Sequence, residues 1–241
     1  PKAALLKSLV LRGAKIVALG YALHVVFWSL NGFSGPWERI LKVDILHAIG
    51  LSIMIFPALA RPRSKLNWKA LTIFVALPLL GHVFYSLPIE KSLPQGLAAY
   101  LTTKSNLALF PFVPYGAWVA LGLFVGPIWI KMRKDAKQEK LFFVGLAVSA
   151  VAMYAMGKGV RWLYYSFNFH SAAAVENQTK GLIHLFFIKG AIVFALFAAL
   201  GALKALFRGK GFKPIILLGK TSLFAYCAHL LLVYGIVGPL F

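Results

Sequence analysis

Asp44 and His47 stand three residues apart at the head of an apolar run. On a helix that spacing places both side chains on one face, and a carboxylate that orients an imidazole is the usual arrangement of a general base. The same pair at a helix start reads equally well as an N-capping carboxylate beside a histidine at the membrane interface. Near the end of the chain, Ser222, Tyr226 and His229 recur at i, i+4 and i+7 on a single stripe. That stripe is either a polar seam facing a chamber or the interhelical hydrogen bonding that holds membrane bundles together. Lys189 lies about 12 Å along its helix from Gly181, at 1.5 Å per residue. It either snorkels outward or meets an acyl carbonyl or a diphosphate. Pro114 suits the first turn of a helix, where its missing N–H costs nothing. Free N–H groups there could hold a carbonyl, carboxylate or phosphate, or the proline could simply mark a boundary.

The elements that must carry these residues are membrane helices. Of the 241 residues, 60% are hydrophobic, which excludes an ordinary soluble domain. Seven apolar stretches, 8–30, 44–60, 70–87, 114–130, 141–156, 181–206 and 221–240, come close to the roughly 20 residues that a helix needs to cross about 30 Å of hydrocarbon. The expectation is an all-α bundle of about seven spans forming one transmembrane domain over residues 1–241. Outer segments 31–43, 88–113 and 157–180 are expected to be irregular, with the aromatic group around Trp162 in a headgroup belt.

Charge sets the orientation. The chain has a formal net charge of +20, concentrated in alternate connections: the N-terminal flank, the segment from Arg61 to Lys69, the segment from Lys131 to Lys140, and the segment from Lys204 to Lys220. Positive residues remain cytoplasmic, so the N-terminus is expected inside and the C-terminus outside. This placement reads as topology and attraction to anionic headgroups rather than nucleic-acid binding. All six histidines then fall in the outer half, where ionisable groups within a membrane usually face a cavity or a partner. A polar chamber opening outward is the expectation. The single Cys227 excludes an intrachain disulfide and a site built on several thiolates. No zinc spacing, phosphate loop, dinucleotide fingerprint or nucleophile elbow is present, and no metal is expected.

Three segments together resemble bacterial relatives of heparan-α-glucosaminide N-acetyltransferase, within the wider membrane acyltransferase superfamily. Asp44-Ile45-Leu46-His47-Ala48-Ile49-Gly50-Leu51-Ser52 is similar to that family's "GILH-IG-S" stretch. Phe110-Pro111-Phe112-Val113-Pro114-Tyr115-Gly116 resembles its "FPLFPWLG". The segment from Gly219 through Ser222 and Tyr226 to His229 is similar to its "G-x-x-SL-x-x-Y-x-x-H". Asp44 stands where relatives usually carry Gly, and Tyr115 where they usually carry Trp.

The resemblance implies a multi-pass acetyltransferase of a bacterial inner membrane. It would take an acetyl group from cytoplasmic acetyl-CoA and deliver it to a sugar or glycan on the opposite side. The lipid bilayer is then a partner, and self-association stays open. His47 with Asp44 would handle a proton or orient the acceptor, and His229, Tyr226, Ser222, Pro114 and Lys189 would line the substrate. The family's principal catalytic histidine is expected upstream of Pro1 and its last helix beyond Phe241, so residues 1–241 alone are expected to be inactive. A transporter or flippase with the outer histidines as a proton relay, or a non-catalytic scaffold, are the alternatives. The absence of an internal repeat counts against transport.

Overall fold

The computed structural model describes residues 2–59, 68–167, 183–206 and 221–230. Among these the chain is helical: α1 (Lys2–Leu30), a 3-10 turn at Trp37–Leu41, α2 (Ile45–Leu59), α3 (Trp68–Ser86), α4 (Ile89–Ser92), α5 (Gln95–Leu101), α6 (Phe112–Met132), α7 (Ala136–Phe167), α8 (Ile183–Leu206) and α9 (Ser222–Leu230). Five of them are long and apolar enough to cross a membrane: Ala4–Leu30, Trp68–Ser86, Phe112–Met132, Ala136–Leu163 and Ile183–Leu203. Their outward faces carry large exposed side chains such as Val148, Val151, Leu196 and Leu200, as lipid-facing helices require.

Two expectations about the outer segments are revised. The second apolar stretch, expected over 44–60, forms α2 over Ile45–Leu59 among the described residues. Its start is delayed because Val43 is held in extended conformation: its N–H donates to the Leu107 carbonyl at 2.8 Å, and its own carbonyl accepts from Leu109 and Phe110 at 2.9 and 3.0 Å. The outer segment 88–113 is not wholly irregular, since α4 and α5 begin directly after Pro88 and Pro94. Residues 157–167, expected outside the fifth span, continue α7 without a break. Gly157 is retained in this helix because α8 crosses there; a β-carbon at Gly157 would lie 2.9 Å from Ile188 and 3.0 Å from the His184 carbonyl oxygen. The seventh stretch is described only through α9, and His170 lies outside the described residues.

The packing order is α1 on α2, α2 on α6, α6 on α3, and α7 on α8. The main core joins Phe56 of α2, Leu77 of α3, Val113, Ala117 and Ala120 of α6, and Phe186 of α8. Trp118 stacks on Phe186 at 4.3 Å between ring centroids, which ties α6 to α8. A smaller cluster of Val43, Ala99 and Leu107 seals the end of the bundle above the start of α2.

The crossing of α1 and α2 depends on two glycines. A β-carbon on Gly13 would collide with the Gly50 carbonyl oxygen, and one on Gly50 would lie 2.7 Å from the Gly13 carbonyl oxygen and 2.7 Å from Val17. Backbones approach this closely only where both residues are small. Gly50→Val should therefore destabilise the folded protein by about 1–3 kcal/mol through overpacking. Gly122→Ala, at a position where a β-carbon meets nothing within 4 Å, should leave thermal unfolding in detergent unchanged or raise its midpoint. Equal stability of the two variants would show that the crossing is not backbone-limited.

Candidate functional site

Asp44 is the residue immediately before α2, and its side chain caps that helix. Oδ1 accepts from the Leu46 N–H at 2.9 Å and from the His47 N–H at 3.3 Å. These are helix N–H groups with no carbonyl partner of their own, and the positive end of the helix dipole favours a carboxylate there. The capping reading of the sequence and the base-orienting reading are therefore not exclusive. One turn on, the His47 ring folds back to the same carboxylate, with Nδ1 2.7 Å from Oδ1. His47 is fully buried, and Asp44 is only 5% exposed.

The Asp44 N–H also faces His47 Nδ1, at 3.2 Å. One nitrogen cannot both donate to the carboxylate and accept from that N–H. The contact to the carboxylate is shorter and charge-assisted, so Nδ1 carries the hydrogen and donates it to Asp44 Oδ1. Nε2 then keeps its lone pair. That atom is buried and has no hydrogen-bond partner among the described residues.

The sequence did not single out His24 as part of this group. It sits on α1 and brings Nε2 to 3.6 Å from Asp44 Oδ2, beyond hydrogen-bonding distance. Its ring lies nearly parallel to that of His47, with centroids 5.7 Å apart and an interplanar angle of 11°. Gly20 makes this approach possible. It is one turn below His24 on the same face of α1, and a β-carbon there would lie 2.6 Å from His47 Cε1. The only signal in the sequence is the i, i+4 pairing of a glycine and a histidine, which acquires meaning once α1 and α2 are known to cross.

Two tyrosines close the group. Tyr21 packs edge-on against His47 with ring centroids 4.2 Å apart, and Tyr100 of α5 approaches the same ring at 6.2 Å. Their hydroxyls share a hydrogen bond of 2.8 Å. Burial, then this bond to Tyr21, pushes the Tyr100 phenol well above its ordinary value. It therefore stays un-ionised throughout the range in which histidines titrate. Among the described residues, one donor atom from each of His24, Asp44 and His47 lies within 4.8 Å of the others, but His47 turns Nδ1 to Asp44 at 2.7 Å, so its Nε2 faces away from that carboxylate.

The other sequence candidates fall elsewhere. Pro114 follows Val113, whose backbone is not helical, so the regular part of α6 does begin at this proline. It is buried, and a β-carbon on Gly81 of α3 would touch it at 3.2 Å. The first N–H after it, that of Tyr115, donates to the Pro111 carbonyl at 3.3 Å and is not open for a ligand. Lys189 places its ammonium 5.8 Å from the ring centroid of Tyr115, the residue that follows Pro114. On α9, Tyr226 is half-buried and His229 exposed, and Ser222 opens the helix. His82 and His184 sit apart from the cluster, His184 buried on α8 within the electrostatic reach of Arg161.

The tyrosine pair is testable by a double-mutant cycle. Tyr21→Phe and Tyr100→Phe should each destabilise the protein by about 0.5–1.5 kcal/mol. The double variant should cost little more than either alone, because each single change removes the same bond. Additive losses in denaturant or thermal unfolding would mean that the two hydroxyls do not meet.

The chain has been compared with known proteins on three levels. No curated protein and no solved structure matches it. The family model of the heparan-alpha-glucosaminide N-acetyltransferase catalytic domain matches residues 2–168. That stretch covers well over half of the chain and contains the whole His24–Asp44–His47 group together with α1 to α7, and on this match the chain belongs to the heparan-alpha-glucosaminide N-acetyltransferase catalytic family.

Proposed function

We propose that this protein moves an acetyl group from acetyl-CoA, bound on the cytoplasmic side, to a hydroxyl or amine of a sugar or glycan presented on the opposite side. Family membership supports acetyl transfer across a membrane bundle. The observation that carries the site assignment is the His47 imidazole: it is fixed through Nδ1 by Asp44, fully buried, and its Nε2 has no hydrogen-bond partner among the described residues.

Acyl transfer needs a group to take the proton from the acceptor as it attacks the acyl carbonyl, and donors to hold the oxyanion that forms. In this reading His47 Nε2 accepts or relays the acceptor proton. Asp44 holds the ring in the tautomer that keeps Nε2 free, and its charge stabilises the imidazolium that results. The Tyr21–Tyr100 pair keeps one hydroxyl hydrogen directed between the two rings that pack on His47. Pro114, Lys189, Ser222, Tyr226 and His229 are assigned to the substrate path, with the Lys189 ammonium suited to an acyl carbonyl or to the phosphates of the donor. The basic connections, among them Arg133, Lys134 and Lys137, face the cytoplasm and the anionic donor.

Vesicles containing the full-length protein test this directly. Radiolabelled acetyl-CoA is supplied on one side and a glucosamine-containing acceptor on the other, and label should appear on the acceptor. Asp44→Asn and His47→Ala, folded by circular dichroism, should each lower transfer by roughly 100-fold or more, the scale of general acid–base catalysis. Transfer by His47→Ala at the rate of the unaltered protein would remove this histidine from the reaction. Label appearing only when donor and acceptor share a compartment would overturn the transmembrane geometry.

A further inference from the structure

We propose that His24 is a positioning residue of this site: a proton on its Nε2 draws the Asp44 carboxylate into an ion pair and withdraws that charge from His47. The proposal rests on the acetyl-transfer reading for its rate measurement, but not for its spectroscopic one.

The first observation is the unequal use of the two Asp44 oxygens. Among the described residues, every hydrogen bond to this carboxylate ends on Oδ1, from the Leu46 N–H, the His47 N–H and His47 Nδ1. Oδ2 faces His24 Nε2 at 3.6 Å. A charge-assisted N–H···O bond is about 2.7–2.9 Å long, so a movement of under about 1 Å closes this gap.

The second observation is the state of the His24 ring. Its Nε2 is buried and has no hydrogen-bond partner among the described residues, whereas the Lys42 backbone carbonyl lies within hydrogen-bonding reach of the ring. A carbonyl only accepts, so the nitrogen turned toward it, Nδ1, carries the hydrogen of the neutral ring. Nε2 then holds a lone pair beside an anionic oxygen. A proton added there from water creates a donor for Oδ2 and breaks no bond already made.

The third observation is the stacking of the two imidazoles, nearly parallel with centroids 5.7 Å apart. Two imidazolium rings so placed repel each other. In the proposed reaction His47 becomes imidazolium when it takes the acceptor's proton. A proton on His24 opposes that step twice, by repulsion and by engaging Asp44. The charged and titratable groups that face His24 are Asp44 and His47 at the start of α2 and Lys42 before it, and Tyr21 and Tyr100 pack on His47. Asp44 is the only carboxylate in this set, so the two histidines compete for one counter-charge. His24 touches no reacting atom in this account. It acts only through Asp44 and the field at His47.

Full-length protein in vesicles is assayed for acetyl transfer between about pH 8 and about pH 5.5, the range in which histidines titrate. His24→Gln keeps an N–H that can reach Oδ2 but cannot take up the proton. Its ratio of the rate at the acid end to the rate at the alkaline end should exceed that of the parent by at least about twofold, the least expected from losing one of two comparable proton sites. The change should lie in kcat rather than in KM, and His82→Gln should keep the parent ratio. A purely structural His24 would lower the rate equally at every pH, and that result would overturn the proposal. Infrared difference spectra over the same pH range, with the Asp44 band identified by its loss in Asp44→Asn, provide the second measurement. The ionised Asp44 band should shift in the parent protein without becoming that of a protonated acid, and the shift should disappear in His24→Gln. A band that stays fixed in the parent, or shifts equally in His24→Gln, would sink the proposal. The parent spectrum tests the ion pair even if His24→Gln fails to fold or no acetyl transfer is found.

Discussion

Everything around the site follows from one constraint: a carboxylate has been placed inside an apolar bundle. Removing Asp44 from water costs several kcal/mol unless its oxygens are matched by donors. The protein supplies them locally. The first N–H groups of α2 take Oδ1, the His47 ring takes the same oxygen from the other side, and His24 approaches Oδ2. The start of α2 is therefore a fixed point. It explains why Val43 is pinned in extended form by Leu107, Leu109 and Phe110, since a sliding chain would carry the carboxylate away from its donors.

The second constraint is proximity. His24 can face Asp44 only if α1 lies almost in backbone contact with α2, and this is what Gly13, Gly20 and Gly50 allow. The three glycines act at successive levels of one crossing. Gly13 and Gly50 let the helices touch, and Gly20 makes room for the His47 ring. A side chain at any of them would widen the gap, and the cluster would separate into a capped helix and an isolated membrane histidine. In lipid, where tails are as apolar as leucine, such close van der Waals packing and shared hydrogen bonds supply the association energy that water would otherwise provide.

The sequence made part of this legible. Asp44 and His47 are neighbours through helical spacing alone, so their pairing could be read from i and i+3. The start of the regular α6 helix at Pro114 was readable because proline has a preferred position in a helix. His24 was hidden, since twenty residues and a turn separate it from Asp44 and only the register of two helices brings it back. The short helices α4 and α5 were hidden for a related reason: four and seven residues are too few to show a hydrophobic period. The run through Gly157 and Gly159 misled in the other direction. Glycine ordinarily weakens a helix, but here α8 packs into the space that Gly157 leaves, and tertiary contact outweighs local propensity.

An aspartate at position 44 does more for the start of α2 than a glycine would. A glycine before α2 could still adopt the capping conformation, but it would leave the Leu46 and His47 N–H groups without Oδ1 and the His47 ring free to choose its tautomer. With Asp44 beside it, the ring is oriented through Nδ1 and packed among the rings of Tyr21, Tyr100 and His24. That orientation is what a proton acceptor needs, since the ring is held still and its second nitrogen is not taken by Asp44. The carboxylate that fixes the ring is held in turn by the Leu46 and His47 N–H groups, so the proton chemistry of His47 depends on how firmly the start of α2 is anchored.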